Sequence, residues 1–344
     1  MASLRDEAAF DTGITAEILD DTVELPPGVG PYRLAWRRLR RNRVALAFGL
    51  IFLLIVVLCL LAPIYSQDIA HISPDYGNPT GTVKVGGKTE DILNAVGIPV
   101  GPTWNFTHYF LGADEEGRDV AVRLLYGGRN SLEIGLVATL ITMALAIIAG
   151  TLAGYLRGIT DGIISRVLDI IWAYPAVLLG IVLGTVIEIR GLGPFHSTTL
   201  LSTALVVGFV YVPYVAKPIR AQVLALRERE FIDAARQLGL SPLRIMTFEI
   251  LPNLASTIIV FIPLVLANAI LNEAALTFLG AGVQPPNASW GTMISDGIST
   301  IPEAFHNVLV PGIMLVLTVL SINVFGDGLR DALDPRARIR IGKE

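Results

Sequence analysis

The sequence predicts an all-α polytopic membrane protein with six transmembrane helices and both termini in the cytoplasm. Of its 344 residues, 53% are hydrophobic and only 16% are charged, whereas about a quarter of the residues of a soluble domain carry a charge. The apolar residues are gathered into long runs, which is typical of membrane spans. Lysine and arginine are concentrated in segments that would lie on one side of the membrane. These three observations together indicate the fold class.

Six apolar segments are long enough to cross a bilayer, whose core of roughly 30 Å requires about 20 apolar residues in a helix. A segment in lipid must satisfy its own backbone hydrogen bonds, so we expect helices. The alternating segments of about ten residues that a barrel would need are absent from the sequence. The predicted spans are Val44–Ile64, Ile134–Leu156, Ile170–Ile187, Thr198–Ala216, Asn253–Asn272 and Val308–Phe325.

The first span begins too late and is too long for a cleavable signal peptide, so we expect a retained anchor. The polar, acidic residues 1–30 are expected to have little order. The predicted parts of the chain are a cytoplasmic tail 1–43, the first span 44–64, an extracytoplasmic loop 65–130, a five-helix core 131–326 that contains a cytoplasmic loop 217–252, and a cytoplasmic tail 327–344.

The orientation follows from the basic residues, because short cytoplasmic loops are enriched in lysine and arginine. The segment before the first span reads RLAWRRLRRNR, and the loop 217–252 contains six basic residues. By contrast, residues 276–307 contain no lysine or arginine. The rule therefore places both termini and the loop 217–252 in the cytoplasm.

The extracytoplasmic loop is predicted to contain a hairpin at Thr82–Lys88 and a cluster of four carboxylates near its end. The cluster does not have the spacing of an EF-hand calcium loop. We interpret it as the start of a helix beside Arg118 and Arg123 in preference to a metal site. The four carboxylates are Asp114, Glu115, Glu116 and Asp119.

Residues 274–301 are apolar in places but are interrupted by glycine and proline. A seventh span here would move the basic C-terminal tail to the outside, against the charge rule. We therefore favour an outer loop with short helices over a segment that dips back into the membrane.

The stretch FIDAARQLGLSPLRIMTFEILPN, residues 231–253, is charged and glycine-broken although it lies between two apolar spans. Gly239 would end a first helix, and Ser241 followed by Pro242 would start a second. A helix lying on lipid headgroups would explain the amphipathic pattern but not the glycine, the cap and the return helix. The apolar face of the first helix has the spacing i, i+3, i+4 and i+7. Its residues are Phe231, Ala234, Ala235 and Leu238.

This stretch resembles the EAA loop of ABC importer permeases, with Asp233 where that family usually has glutamate. Four further motifs resemble the peptide/nickel branch of the family and its C-type (DppC/OppC-like) subunit. They are LGADEEGRDVAVRLLYGGRNSLEIG, DIIWAYPAVLLGIVL, NEAALTFLGAGVQPPNASWGTMISDG and NVFGDGLRDALDPR. The resemblance covers roughly residues 32–336 in the expected order, and it implies the type I ABC importer permease fold in a bacterial cytoplasmic membrane.

The resemblance also implies partners: a second permease, two cytoplasmic ATPases and an extracytoplasmic peptide-binding protein. No P-loop of the form G-x-x-x-x-G-K-[ST] occurs in the chain. ATP and magnesium would therefore be bound by the partner ATPases, with no cofactor in this chain. The EAA loop would be the coupling helix that docks on an ATPase. The predicted contact residues are Phe231, Asp233, Ala234, Ala235, Leu238, Gly239, Leu240 and Arg244. The alternative for Leu238 and Leu240 is packing against the chain's own spans.

Polar residues within spans are candidates for lining a pathway, although interhelical hydrogen bonding is the alternative for each. The candidates are Tyr174, Ser256, Thr257, Asn268 and Asn272. The two acidic residues near span boundaries, Asp169 and Glu273, are expected at the membrane interface. Pro175, Pro213 and Pro263 are expected to kink their helices.

The predicted function is translocation of di- or oligopeptides by an ATP-driven importer. The same fold importing nickel chelates, oligosaccharides or opines is the main alternative, although the four scattered histidines indicate no nickel site in this chain. A stand-alone channel would not need the cytoplasmic docking loop. A membrane-embedded protease would need a metal-binding, serine or paired-aspartate motif that the sequence lacks.

Overall fold

The computed structural model describes residues 31–191 and 200–333 of the chain. The predictions for residues 1–30, for the connection 192–199 and for the tail 334–344 lie outside the described residues. The helices are α1 (Pro31–Leu39), α2 (Arg43–Leu60), α3 (Val120–Leu156), α4 (Gly158–Trp172), α5 (Ala176–Arg190), α6 (Leu200–Arg227), α7 (Glu230–Gln237), α8 (Pro242–Ile245), α9 (Leu251–Phe278), α10 (Trp290–Gly297) and α11 (His306–Leu333).

Within the described part, five helical segments are long and apolar enough to cross a membrane, and the bent pair α4–α5 would make a sixth span. Here the prediction of a continuous span Ile170–Ile187 is wrong, because the two helices meet at an angle of 92°. Pro175 is the cause: it has no N–H to donate, and it disfavours helical backbone at Tyr174. By contrast, α6 and α9 continue through Pro213 and Pro263.

The predicted extracytoplasmic segment 65–130 ends in helix, since α3 begins at Val120, before the predicted span Ile134–Leu156. Asp119 fixes this start, because its carboxylate accepts hydrogen bonds from the N–H groups of Ala121 and Val122. This side-chain cap satisfies helix donors that otherwise have no partner. The acidic cluster therefore does start a helix, as its sequence indicates.

The central contact of the bundle is between α3 and α6, which approach closely along their lengths. A Cβ atom at Gly150 would lie 2.7 Å from the carbonyl oxygen of Ala216, and one at Gly154 would lie 2.9 Å from that of Arg220. Only glycine allows backbones this close, which is a common way to associate helices in lipid.

Both described ends of the chain lie at one end of the bundle. Ala35 and Leu39 of α1 pack in one cluster with Ala332, near the end of α11. The first span, α2, runs along α11 and leaves large apolar side chains such as Leu50 and Leu53 exposed. A helix with such an apolar exposed surface is typical of contact with lipid.

The opposite end of the bundle carries a cap, which we define as residues 65–119 and 279–305. Its strands β1 (Thr82–Val85) and β2 (Lys88–Asp91) form an antiparallel pair in which Thr82 faces Asp91. This confirms the predicted hairpin and extends it to Asp91. Residues 274–301 contain the end of α9, the short α10 and loops, which confirms the prediction against a seventh span.

Candidate functional site: the elbow and the polar residues of the spans

The segment between α6 and α9 folds as a sharp elbow, which we define as residues 229–252. Helix α7 ends where Gly239 adopts φ = +75°, a conformation that glycine takes without strain. The N–H of Leu240 donates to the carbonyl of Ala235 at 3.2 Å, which closes the helix end. Ser241 then caps α8, and a π-helical turn at Met246–Ile250 leads into α9. The predicted pair of helices around a glycine turn is confirmed.

One face of the elbow is fastened to the chain's own spans. Ile232, Ile245 and Ile250 are fully buried in a cluster with Ile219 and Val223 of α6. Because these side chains join the elbow to α6 and to the start of α9, a displacement of the elbow must move the ends of both spans.

The other face of the elbow leaves large apolar side chains in contact with solvent. Leu238 is 79% exposed, Leu243 is 67% exposed and Phe231 is 40% exposed. Isolated apolar residues on a surface need no explanation, but a cluster of them marks an interaction site. Leu238 and Leu243 lie on either side of the Gly239 turn, so the exposed surface follows the bend of the elbow.

Most of the predicted contact residues lie on this exposed side. Phe231, Asp233, Ala234, Leu238, Gly239 and Arg244 are exposed. Asp233 also pairs with Arg236, whose Nη1 lies 3.0 Å from its Oδ1. Leu240 is half-buried against the core cluster, as its alternative interpretation proposed.

Ala235 corrects the predicted helix face, because it is buried in the core and is not on the exposed surface. The helix face predicted from the sequence therefore combines three exposed residues with one residue of the buried side. Ile232, which the sequence-based selection omitted, shares the buried side with Ala235. A pattern in which apolar residues occupy both sides of a short helix does not reveal which side faces the protein.

The candidate pathway residues divide into two groups. Tyr174 and Ser256 are exposed. Thr257 donates to Oε1 of Gln222 at 2.8 Å, which joins α9 to α6. The Asn272 amide donates to the hydroxyl of Tyr211 at 2.9 Å, and that hydroxyl donates to Oδ1 of Asn268 at 3.4 Å. Interhelical hydrogen bonds, the alternative interpretation, are therefore present at Thr257, Asn268 and Asn272.

Glu273, which is expected near the membrane interface, is fully buried within the chain. Its carboxylate accepts hydrogen bonds from the hydroxyls of Ser131 and Thr277, each at 2.9 Å. Those hydroxyls in turn accept bonds from the N–H groups of Trp290 and Val283 in the cap. Glu273 is thus the centre of a polar network that ties the cap to α3 and α9.

A second polar network holds the cap through ion pairs. Arg118 lies 2.6 Å from Asp114, and the side chain of Arg123 lies 3.4 Å from both Asp114 and Asp296. Burial raises the pKa of the Asp119 carboxyl, although three backbone hydrogen bonds act in the opposite direction.

Within residues 31–191 and 200–333, no group of three or more His, Cys, Asp or Glu side chains is arranged to hold a metal ion.

Three residues beside the α4–α5 break were not predicted from the sequence as candidate site residues. They are Trp172, Tyr214 and Lys217. The sequence pattern that could have indicated them is weak. Tyr211, Tyr214 and Lys217 recur at three-residue intervals on α6, and a face of this kind becomes distinctive only when Trp172 is seen to pack against it.

Comparison with known proteins assigns the chain to a family. Residues 146–339 match the family described as the binding-protein-dependent transport system inner membrane component. The chain belongs to this family. Residues 30–79 of the permease also match the N-terminal transmembrane domain of oligopeptide transport permease C. The permease is therefore a component of a transport system of the bacterial inner membrane.

Relatives of the permease align over almost their whole length. The dipeptide transport system permease protein DppC of Alkalihalophilus pseudofirmus is 35% identical over 310 residues, which are 90% of this chain and 91% of the relative. The di/tripeptide transport system permease protein DppC of Pseudomonas aeruginosa is 35% identical over 311 residues, 90% of this chain and 93% of the relative. The oligopeptide transport system permease protein OppC of Bacillus subtilis is 34% identical over 304 residues, which are 88% of this chain and 89% of the relative.

A solved structure supports the fold. The crystal structure of the MetNI methionine ABC transporter in an inward-facing conformation matches 61% of the permease and 96% of its own chain, with a TM-score of 0.50 and 18% identity. Identity at this level shows the fold alone. The permease has the type I ABC importer permease fold, as its sequence motifs implied.

Proposed function

We propose that this permease is the subunit of an ATP-driven importer through which di- or oligopeptides cross the inner membrane. Its partners would be a second permease, two cytoplasmic ATPases that bind ATP and Mg²⁺, and an extracytoplasmic peptide-binding protein. The permease itself holds no nucleotide and needs no cofactor. The names of the relatives support peptides over nickel chelates as the cargo.

The observation that carries this proposal is the two-sided elbow. Its inner side is buried against α6, while Leu238 and Leu243 stay exposed on the outer side of the turn. An exposed apolar cluster at the end of a membrane protein requires a partner or a lipid surface. We assign it to the ATPase, with the elbow end of the bundle in the cytoplasm, as the distribution of basic residues indicates.

The same arrangement suggests how ATP binding drives transport. Closure of the ATPases would push on the exposed side of the elbow. The buried isoleucines Ile232, Ile245 and Ile250 would then pass the displacement to α6 and α9. Because packed cores switch between discrete arrangements instead of deforming continuously, a small shift at the elbow can change which side of the bundle is open.

Co-purification tests the assembly. The tagged chain is extracted from its host in mild detergent, and the proteins that accompany it are identified. We expect an ATPase pair and a second polytopic protein. Recovery of the folded chain alone, under several gentle extraction conditions, would support a stand-alone channel with a lipid-bound elbow.

A matched pair of variants tests the elbow itself. Leu238→Glu should lose the ATPases while keeping the second permease, because the charge enters only the exposed apolar surface. Val96→Glu, at an equally exposed position in the cap, should keep both. Equal retention of the ATPases by the two variants would contradict the assignment of the elbow.

A further inference from the structure

Aromatic side chains form a ladder along the exposed side of α6, next to the α4–α5 break. The rings of Tyr211 and Tyr214 stack with their centroids 5.0 Å apart, and Trp172 meets Tyr214 edge-on at 6.0 Å. The ammonium of Lys217 lies 3.6 Å from the centre of the Trp172 ring. We call Trp172, Tyr211, Tyr214 and Lys217 the aromatic ladder.

Both ends of the aromatic ladder carry polar groups. At one end the Tyr211 hydroxyl is hydrogen-bonded to Asn268 and Asn272 of α9. At the other end Lys217 forms an ion pair with Asp169, with Nζ 2.6 Å from Oδ1. The pair is neutral overall, and the Tyr211 and asparagine groups are neutral, so the ladder presents hydrogen-bonding capacity without net charge.

The ladder reaches from the predicted membrane span to its cytoplasmic boundary. Tyr211 and Tyr214 lie inside the predicted span Thr198–Ala216 of α6, and Lys217 is the first residue after that span. At a rise of 1.5 Å per residue, Tyr211 is roughly 16 Å from the start of this helix. Asn268 likewise lies well inside α9, which runs from Leu251 to Phe278. The Tyr211 end of the ladder therefore lies in an apolar span, where lipid would offer its polar groups no hydrogen bonds, and the Lys217 end lies at the predicted cytoplasmic boundary.

Exposure at this depth requires an explanation. Tyr214 is 39% exposed, and Trp172 and Tyr174 are more so. The half-buried hydroxyl of Tyr211 and the half-buried amides of Asn268 and Asn272 would be costly to place against hydrocarbon. A broken helix is tolerated at membrane depth only where it is buried in protein or lines a water-filled cavity. The break at Tyr174 and Pro175 and the ladder beside it satisfy this rule if the surface faces an aqueous pathway.

We propose that the aromatic ladder is a peptide-contact site in the wall of the translocation pathway. The Asn268 amide donates one N–H to the Leu264 carbonyl and keeps a second N–H, and the side-chain oxygens of Asn268 and Asn272 can accept further bonds. These groups match the acceptors and donors of a peptide backbone, while the rings of Trp172 and Tyr214 contact side chains of any type. The neutral Lys217–Asp169 pair selects for no charge. The ligand class is therefore short peptides, read through their backbone. This assignment rests on the proposed function, whose cargo it deepens.

Cysteine accessibility tests the site on the assembled importer in nanodiscs. The background from this chain is low, because Cys59 is its sole cysteine and is fully buried, and labelling is scored on the separated chain. Tyr214→Cys should react with a charged, water-soluble methanethiosulfonate reagent. Phe209→Cys is the matched control: it lies on the same helix, about 140° around the axis, and the native residue is 41% exposed, as against 39% for Tyr214. We expect it to stay unlabelled.

Addition of trialanine should suppress the labelling of Tyr214→Cys. If Tyr214→Cys is not labelled in the absence of peptide, this face contacts lipid or the second permease, and the proposal is overturned. If it is labelled but trialanine does not reduce the labelling, the face contacts water but not peptide, which also overturns the proposal. Tyr174→Cys, at the helix break, provides the same readout if Tyr214→Cys does not fold.

Failure of the proposed peptide-contact site can be distinguished from failure of the proposed function. Co-purification of the ATPases with each cysteine variant reports the assembly, whereas labelling reports only which side chains meet water and peptide. An assembled importer with an unreactive Tyr214→Cys would refute the site and leave the proposed function intact.

Discussion

The two ends of the bundle are fastened to the spans by different interactions. At the end that carries the cap, the side chains of Arg123 and Glu273 are buried and are held by ion pairs and hydrogen bonds within the chain. At the elbow, one side packs on α6 through apolar side chains, while Leu238 and Leu243 remain exposed on the other side. A partner bound to the exposed side of the elbow would therefore act on apolar packing, whereas a partner bound to the cap would act on polar networks.

The largest expected effect is at the cap. Arg123→Ala removes one of the two arginines that pair with Asp114 and Asp296, and it should cost up to about 3–5 kcal/mol of stability, the range for a broken buried ion pair, less the compensation that Arg118 still gives both carboxylates. Unfolding of the purified protein in detergent measures this loss. The control Arg157→Ala breaks an exposed pair with Glu228, which is worth under about 1 kcal/mol. Similar losses for the two variants would show that the cap network does not fasten that end.

The next effect separates the two sides of α7. Ile232→Ala opens a cavity in the core, so it should lower the free energy of unfolding by about 2–5 kcal/mol. Leu238→Ala, on the exposed side, should change it by no more than about 0.5 kcal/mol. Peptide-dependent ATP hydrolysis by the assembled importer should nevertheless fall in Leu238→Ala. A destabilised Leu238→Ala would mean that this side chain packs within the chain.

A smaller effect is expected at the turn between α7 and α8. Gly239→Ala places a Cβ on a residue with φ = +75°, which costs roughly 1–2 kcal/mol although the space around it is open. The ratio of peptide transported to ATP hydrolysed should fall while membrane insertion is unchanged. Gly162→Ala is the control, because it lies in a helix with open space around it, where alanine stabilises by about 0.5–1 kcal/mol. Unchanged coupling in Gly239→Ala would count against the elbow.

The smallest effect is expected from removing a serine helix cap, either from α10 in the cap or from α8 in the elbow. Ser289 caps α10 in a reciprocal arrangement with Thr292, whereas the Ser241 cap of α8 is a single bond of 3.4 Å. Ser289→Ala should therefore cost more, within the range of about 0.5–2 kcal/mol known for such caps. Thermal unfolding of the two variants measures the difference. A larger loss of stability in Ser241→Ala than in Ser289→Ala would contradict the stronger cap inferred at Ser289.

Features that depend on local pattern were predictable from the sequence. The spans follow from apolar runs, the hairpin from its turn residues, and the elbow from Gly239, Ser241 and Pro242. Features that depend on neighbours were not. The inward side of Ala235 and the full burial of Glu273 are set by which helices pack there. Pro175 signalled a break in the helix, but the sequence does not give its angle of 92°, because α4 and α5 each also pack against α6.

Helix α8, the π-helical turn and α9 form one continuous rod from Pro242 to Phe278, roughly 55 Å long at 1.5 Å per residue. This rod carries Leu243 near one end and Glu273 and Thr277 near the other. It therefore connects the elbow to the cap through one continuous helix. Because binding free energies are reciprocal, a protein at the cap that changes the affinity of the elbow for its partner by some factor has its own affinity changed by that partner by the same factor.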